Sequence, residues 1–260
     1  MDAGAYYRES GNRQFTPPPG VGASSGGVFA LQRDYSLNRD AQGWRAAKNM
    51  ARYMLFKTGP MTSTYDINAF IKTCPALKQP DAQILFWNLT VDKSVLDTIK
   101  VEDHPGLLVM GYPLRTSSEG SIRLRSADPA DRPVIHTNFL ATEHDRSVMV
   151  GMFRYVRRLF SHPLLAAFIA EETYPGRSVE SDEDILDAAR RDQTCQHAVG
   201  TYRMGTGALA VLDPSLRVRG VQGLRVVDLS AMPTQVSGNT NGPVMAFSWQ
   251  ASKLIREDRN

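Results

Sequence analysis

The stretch from Cys195 to Ile255 constrains this chain most, because it joins an isolated histidine, a short apolar run and an amphipathic segment. His197 is followed by small and β-branched residues, which favour a short extended segment. Residues 224–228 read Leu-Arg-Val-Val-Asp directly after a glycine. This pattern predicts a short buried strand that ends in the carboxylate of Asp228.

A helix is predicted to close the stretch, because apolar residues recur at intervals of three and four: Val244, Phe247, Ala251 and Leu254. Asn239–Asn241 offer N-cap side chains, and Pro243 suits the first helical turn. The backbone N–H groups at a helix start carry partial positive charge. The start of this helix therefore suits an anion or an electron-rich ring oxygen.

These residues favour a redox site over a hydrolytic one. The imidazole of His197 can take a proton near neutral pH, since an unperturbed histidine has a pKa of about 6.5. The sequence contains no G-x-S-x-G motif and no His/Cys/Asp/Glu cluster with metal-ligand spacing. From spacing alone, a hydrogen-bonded core histidine is the more ordinary interpretation of His197.

A longer series of motifs changes that balance. Residues 197–205 read His-Ala-Val-Gly-Thr-Tyr-Arg-Met-Gly, residues 212–233 run from Leu-Asp-Pro to Ala-Met-Pro, and residues 238–243 read Gly-Asn-Thr-Asn-Gly-Pro. In this order and spacing they resemble the C-terminal pattern of the glucose–methanol–choline (GMC) flavin oxidoreductases. Ala198 stands where that family usually has proline. The resemblance extends from about Trp44 to Ile255.

The resemblance implies a FAD-dependent oxidoreductase that acts on the CH–OH group of a small-molecule alcohol. His197 stands at the position of the family's catalytic base. Asn239 stands where members carry a second histidine or an asparagine, so a His–Asn pair that meets at one substrate oxygen is implied. By the same resemblance, Asp228 and the backbone of Leu229 lie near the ribityl–phosphate part of FAD. The remaining cofactor contacts would come from the backbone near the flavin ring, at Thr240, Asn241 and Pro243.

The fold class expected is α+β. The sequence predicts strands at Ile67–Ile71, Gln83–Val91, Gly106–Tyr112 and Ser121–Arg125, and helices at Gly43–Lys57, Ala141–Phe160, Leu164–Ala170 and Ser181–Arg191. We expect an irregular segment over residues 1–40. An antiparallel sheet backed by helices, the substrate-binding domain of the family, would follow over 41–195. Residues 196–260 would supply the last strand and helix of an incomplete FAD-binding domain.

Charge and composition limit the partners. A net charge of +3 on 260 residues, with dispersed basic side chains, argues against nucleic acid or an anionic membrane as a partner. No apolar run is long enough to span a bilayer. Two cysteines make no disulfide framework, which favours a reducing, cytoplasmic setting.

A dinucleotide-binding motif is expected but not recognised. GMC proteins normally begin with a strand, a G-x-G-x-x-G turn and a helix, which hold the ADP half of FAD. Gly20 and Gly22 open such a motif, but Ser25 occupies the third glycine position and prolines precede it, so a flexible glycine–serine loop is expected. The chain therefore resembles the C-terminal portion of such an enzyme. A non-catalytic remnant or binding module of the same fold is the alternative.

We therefore expect the 260 residues alone to bind FAD weakly or not at all, and to turn over poorly. The absorbance spectrum of the purified chain tests this, because bound flavin adds visible bands that apoprotein lacks. Flavin bands near one equivalent per chain would refute the expectation.

Overall fold

The structure is a computed structural model that describes residues 25–63, 65, 67–91, 100–191 and 197–258. The start of the glycine-rich run at Gly20 and the thiol of Cys195 lie outside these residues. The chain divides into two compact units. One contains the described residues of 113–147 and 193–260, and the other those of 24–112 and 148–192. The expected three-part division along the chain stays a prediction.

The described residues form both strands and helices. The strands are β1 (Ser25–Leu31), β2 (Ile67–Ile71), β3 (Ala82–Trp87), β4 (Gly106–Pro113), β5 (Ser121–Arg123), β6 (Val134–His136) and β7 (Ile169–Tyr174). The α-helices are α1 (Gly43–Phe56), α2 (Glu143–Ser161), α3 (Pro163–Ala166), α4 (Asp182–Arg191) and α5 (Asn241–Glu257). A short 3₁₀ helix spans Leu229–Ala231. The α+β class with an antiparallel sheet and helices is confirmed.

A five-stranded sheet with the order β2-β3-β4-β1-β7 dominates the second unit. β1 pairs antiparallel with β4 on one side and with β7 on the other, so it lies inside the sheet. The prediction of an irregular segment over 1–40 is therefore wrong for 25–31. The sequence does not predict this strand, because its glycines are typical of loops. A Cβ on Gly26 would lie 2.0 Å from the carbonyl oxygen of Val109, so the close approach of β4 requires glycine at this position.

Helix α2 covers the sheet through an apolar face with a helical period. Met152 and Phe160 are buried, and the Phe160 ring lies 4.5 Å from that of Phe29 on β1. Gly111 on β4 leaves room for the sulfur of Met152, which would lie 2.5 Å from a Cβ at that position. The helix predicted over 141–160 is thus confirmed, two residues later at its start and one at its end.

The predicted start of α4 is confirmed by its capping hydrogen bonds. Ser181 and Asp184 form the predicted capping box, since the Ser181 hydroxyl accepts from the Asp184 N–H at 3.1 Å and the Asp184 carboxylate accepts from the Ser181 N–H at 3.1 Å.

The helix predicted over 164–170 is wrong at its end. It stops at Ala166, and Ile169 begins β7, because pairing with β1 satisfies the backbone there.

The first unit has its own small core. Leu212, Leu216, Ala231 and Ala251 are buried together, and five partly buried residues pack against them: Met204, Val218, Val226, Val227 and Phe247. Ala251 and Phe247 belong to the apolar face predicted for α5, which is confirmed. This core holds α5 against the segment that contains the 3₁₀ helix.

The strand predicted over 224–228 is not formed. This segment has one isolated bridge, between Arg217 and Arg225, and otherwise follows an irregular path. A buried strand of a parallel sheet needs neighbouring strands to take its N–H and C=O groups. Among the described residues that bridge is its only strand-type pairing. Val226 and Val227 pack against the small core, whereas Leu224 is exposed.

No α-helix in the described ranges combines the length and the apolar character needed to cross a membrane.

A substitution at Gly26 tests the close contact of β1 with β4. Gly26→Ala should lower the free energy of unfolding by about 1–3 kcal/mol, because the added methyl meets backbone rather than a flexible side chain. Thermal unfolding measures the change. Gly207→Ala is the control, since a Cβ there meets nothing within 4 Å, and it should stay within about 0.5 kcal/mol. Equal stability of the two variants would contradict the packing described.

Candidate active site

The segment that follows His197 is anchored to the 3₁₀ helix. The N–H of Tyr202 donates to the carbonyl of Ser230 at 2.9 Å, and the N–H of Met204 donates to that of Ala231 at 2.9 Å. Gly200 makes the turn between them and His197 with a φ of 89°, a conformation that favours glycine. The histidine therefore sits at the open end of a segment whose following turn is fixed by backbone hydrogen bonds.

The side chain of His197 contacts the start of α5. Its Nδ1 lies 2.7 Å from the hydroxyl oxygen of Thr240, a residue that is only 4% exposed. Burial lowers the pKa of His197 below its ordinary value of 6.5, because a charged imidazolium is poorly solvated there. His197 is therefore neutral at pH 7, the state in which an imidazole can accept a proton.

The first turn of α5 is open and free of carboxylates. Its N-cap is Thr240, and the first intrahelical bond runs from the Val244 N–H to the Thr240 carbonyl at 2.9 Å. Pro243 has no N–H, so Asn241 and Gly242 carry amide groups that the helix itself leaves unused. A Cβ on Gly242 would meet nothing within 4 Å, and no acidic residue occupies the first turn. This end of the helix can receive an electron-rich group.

The expectation that Asn239–Asn241 would cap α5 with a side chain is wrong. The N-cap residue has αR backbone angles rather than extended ones, and its side chain makes no capping bond. Pro243 lies in the first turn as predicted. The reason is that Thr240, the N-cap itself, directs its hydroxyl to His197 instead of to the helix.

Asp228 plays a local structural part. One oxygen of its carboxylate accepts a hydrogen bond from the N–H of Ser230 at 2.8 Å and another from the Ser230 hydroxyl. It thereby caps the 3₁₀ helix that begins at Leu229. The other carboxylate oxygen accepts no hydrogen bond from the part of the chain that the structure describes, so it remains available to an external hydroxyl.

The structure brings part of the predicted site together. His197 and Thr240 are in direct contact, Asn239 precedes Thr240 in the chain and is exposed, and Asn241 opens the helix. Asp228 is linked to His197 indirectly. It caps the 3₁₀ helix to which the turn after His197 is hydrogen-bonded. Sequence reasoning missed the hydroxyl of Thr240, because a threonine at a helix start ordinarily caps the helix.

Two further polar atoms of this unit are buried and have no hydrogen-bond partner among the described residues, the hydroxyl oxygen of Thr116 and the amide oxygen of Gln235. A buried acceptor without a donor is costly, and a donor from a bound molecule would relieve that cost. Over the same residues no group of three or more His, Cys, Asp or Glu side chains could hold a metal ion.

Comparison with known proteins identifies the region that contains this site. The sequence model of the GMC oxidoreductase family matches residues 116–248. An alcohol dehydrogenase [acceptor] of Pseudomonas putida is 34% identical over 220 residues, which are 81% of this chain and 38% of that protein. An oxygen-dependent choline dehydrogenase of Staphylococcus aureus (strain JH9) is 32% identical over 210 residues, 79% of this chain and 36% of that protein. The chain thus spans less than two fifths of the length of these relatives.

Solved structures share the fold. A formate oxidase of Aspergillus oryzae RIB40, studied for its FAD modification, superposes with a TM-score of 0.81 at 21% identity, over 92% of this chain and 46% of that one. A pyridoxine 4-oxidase from Mesorbium loti gives a TM-score of 0.67 at 21% identity, over 92% of this chain and 43% of that one.

The lowered pKa of His197 can be tested without a cofactor. Because the folded pKa lies below the unfolded value near 6.5, the unfolded chain binds more protons in the window between them, and folding stability falls as the pH drops through it. An NMR titration of the imidazole should give a midpoint below 6.5 in the folded chain and near about 6.5 in urea. His197→Gln should lose less stability than the parent chain on acidification. A folded midpoint at or above the unfolded one would contradict burial as the dominant effect.

Proposed function

Since the chain belongs to the GMC oxidoreductase family, we propose that it supplies the proton-accepting site and part of the cofactor site of a FAD-dependent alcohol oxidoreductase. The observation that carries the proposal is the contact of His197 with Thr240 at the open start of α5. A neutral imidazole and an exposed amide side chain then stand next to a helix end with unused N–H groups. That combination suits alcohol oxidation.

His197 is the proposed base. Its Nδ1 faces Thr240, so Nε2 is the nitrogen that takes the proton of the substrate hydroxyl. Loss of this proton makes the carbon next to the oxygen a better hydride donor. The pKa of His197, lowered by burial, keeps the ring neutral at pH 7 and therefore ready to accept.

Asn239 is the proposed second contact to the substrate oxygen. It directly precedes the residue that contacts His197, and it is exposed, so a bound molecule can reach its amide. The N–H₂ of a carboxamide donates hydrogen bonds and has no charge that would compete with the imidazole for the proton. The pair then divides the work at one oxygen, with His197 accepting the proton and Asn239 donating a hydrogen bond.

The described residues fit FAD at two places. The carboxylate-free first turn of α5, from Asn241 to Pro243, would lie near the electron-rich edge of the flavin ring, and the unused oxygen of Asp228 beside Leu229 would accept from a ribityl hydroxyl. When bound, FAD supplies the hydride acceptor, which no amino-acid side chain provides.

The relatives indicate the substrate class. Two of them are named as an alcohol dehydrogenase and a choline dehydrogenase, so a small molecule with a CH–OH group is the proposed substrate. The described residues of 41–195, with their sheet and helices, would supply the substrate-binding domain, and those of 196–260 the catalytic segment. Cytoplasmic localisation is proposed with the reducing setting inferred from the two cysteines.

Substitution of His197 tests the proposed function in the flavin-loaded protein that contains this chain. His197→Ala should slow anaerobic reduction of the flavin by an alcohol about 10²- to 10⁴-fold, because the substrate proton loses its acceptor. Stopped-flow absorbance measures the rate, and substrate affinity should change far less. His144→Ala is the control, because His144 is exposed on α2, and it should reduce its flavin at the parent rate.

An unchanged rate in His197→Ala, with flavin bound normally, would remove the assigned base. Loss of flavin in that variant but not in the control would assign His197 to cofactor binding instead.

A further inference from the structure

We propose that the side chain of Thr240 is a positioning residue: its hydroxyl accepts a hydrogen bond from Nδ1–H of His197, and this fixes Nε2 as the nitrogen that takes the substrate proton. The inference rests on the proposed function for its catalytic meaning. The hydrogen bond itself can be tested in the chain without flavin. The cofactor contacts expected at Thr240 involve its backbone only, so this side-chain role is additional to them.

The hydroxyl of Thr240 does not cap α5. Thr240 is the N-cap of α5, where a threonine hydroxyl ordinarily accepts from the N–H of the second or third helical residue. Here it makes no capping bond and lies 2.7 Å from the imidazole. The αR backbone of Thr240 differs from the extended conformation of a capping residue, so the hydroxyl is not used by the helix and contacts the histidine.

The position of this hydroxyl is fixed by its surroundings. Thr240 is 4% exposed, and its carbonyl accepts the first hydrogen bond of α5, from Val244 at 2.9 Å. The helix is in turn held by Ala251 in the small core. A buried side chain on a fixed backbone gives the imidazole one orientation, whereas a water molecule or an exposed side chain would leave several.

The hydroxyl of Thr240 can keep the same hydrogen bond while the imidazole gains a proton. A hydroxyl oxygen has two lone pairs, so it can accept from Nδ1–H both while the ring is neutral and after the ring has become an imidazolium. When the substrate hydroxyl gives its proton to Nε2, the proton on Nδ1 stays in the bond to Thr240. FAD, when bound, would accept the hydrogen of the substrate C–H bond together with its electron pair, and Nε2 would hold the proton of the O–H bond, so both hydrogens lost by the alcohol have an acceptor. The tautomer is set by the partner of the other nitrogen.

The test is ¹⁵N and ¹H NMR of the histidine side chains in the 260-residue chain, with His197 assigned by its absence in His197→Gln. We expect the neutral ring of His197 to carry its proton on Nδ1. Thr240→Val should move the proton to Nε2 and lower the midpoint of the titration, because the imidazolium loses an acceptor. Thr240→Ser, which keeps the hydroxyl, should restore the parent tautomer and the parent midpoint.

A matched control separates positioning from helix capping. The hydroxyl of Thr142, directly before α2, accepts from the N–H of Asp145 at 3.2 Å, so Thr142→Val removes a true cap. It should lower the melting temperature and leave the titration of His197 unchanged. A parent tautomer on Nε2 would overturn the proposal. So would a Thr240→Val variant that titrates like the parent chain.

Activity then connects the hydrogen bond to the reaction. In the flavin-loaded protein, Thr240→Val should lower kcat about 10- to 100-fold, with KM little changed and the acidic limb of the pH profile displaced, and serine should recover most of the rate. Losses of about this size follow removal of the partners that orient metal-binding histidines, which fix the tautomer in the same way. An unchanged kcat in Thr240→Val beside a slow His197→Ala would refute positioning and keep the proposed function. A normal rate in His197→Ala would refute the function, whatever Thr240 does.

Discussion

The hydrogen bond between the imidazole of His197 and the hydroxyl of Thr240 is the interaction on which the site depends. It joins two segments that are 43 positions apart in sequence, the turn after His197 and the start of α5. Each segment is separately fixed, the turn by backbone bonds to Ser230 and Ala231, the helix by Ala251 in the small core. The relative positions of the imidazole and the hydroxyl are therefore fixed by the two segments that carry them. Its geometry follows from the packing of four buried apolar side chains and two backbone hydrogen bonds.

Two physical effects act on the imidazole in the same direction. Burial disfavours the imidazolium, and the partial positive charge at the start of α5 also opposes a second positive charge beside it. The hydroxyl of Thr240 acts in the other direction, because the hydrogen bond that it accepts from Nδ1–H is stronger when the ring is an imidazolium. A base that is neutral at rest and binds its proton only weakly can be reset after each turnover. That balance suits an alcohol oxidation, in which the base must take one proton and then release it.

The elements that depend on residues close in sequence were predicted correctly. The apolar spacing of Phe247 and Ala251 specified the buried face of α5, and Ser181 with Asp184 specified the start of α4. The predictions were wrong for segments whose structure depends on pairing with distant strands. β1 was hidden because Gly26, which looks like a loop residue, is required by the backbone of β4. The strand expected after Gly223 is not formed, because a buried strand needs partner strands for its N–H and C=O groups, and these do not follow from its own residues.

The candidate site shows the same division. Motif order pointed to His197 and Asn239, and the first turn of α5 was expected from Pro243 and the apolar period. The direction of the Thr240 side chain could not be expected, since both capping and tertiary contact are open to a threonine at that place and only the fold decides between them. Asp228 likewise had two possible roles, capping a turn or contacting the cofactor. In the structure one oxygen of its carboxylate accepts a hydrogen bond from the N–H of Ser230.

The central claim is that His197 presents Nε2 to an alcohol beside the open start of α5. A crystal structure of the flavin-loaded protein that contains this chain, with a bound alcohol, tests it most directly. We expect the hydroxyl oxygen of the alcohol to lie about 2.6–3.2 Å from Nε2 of His197 and within hydrogen-bond reach of the Asn239 amide, while Nδ1 keeps its bond to Thr240. An imidazole that faces packed side chains, with the alcohol bound elsewhere along the flavin, would contradict it.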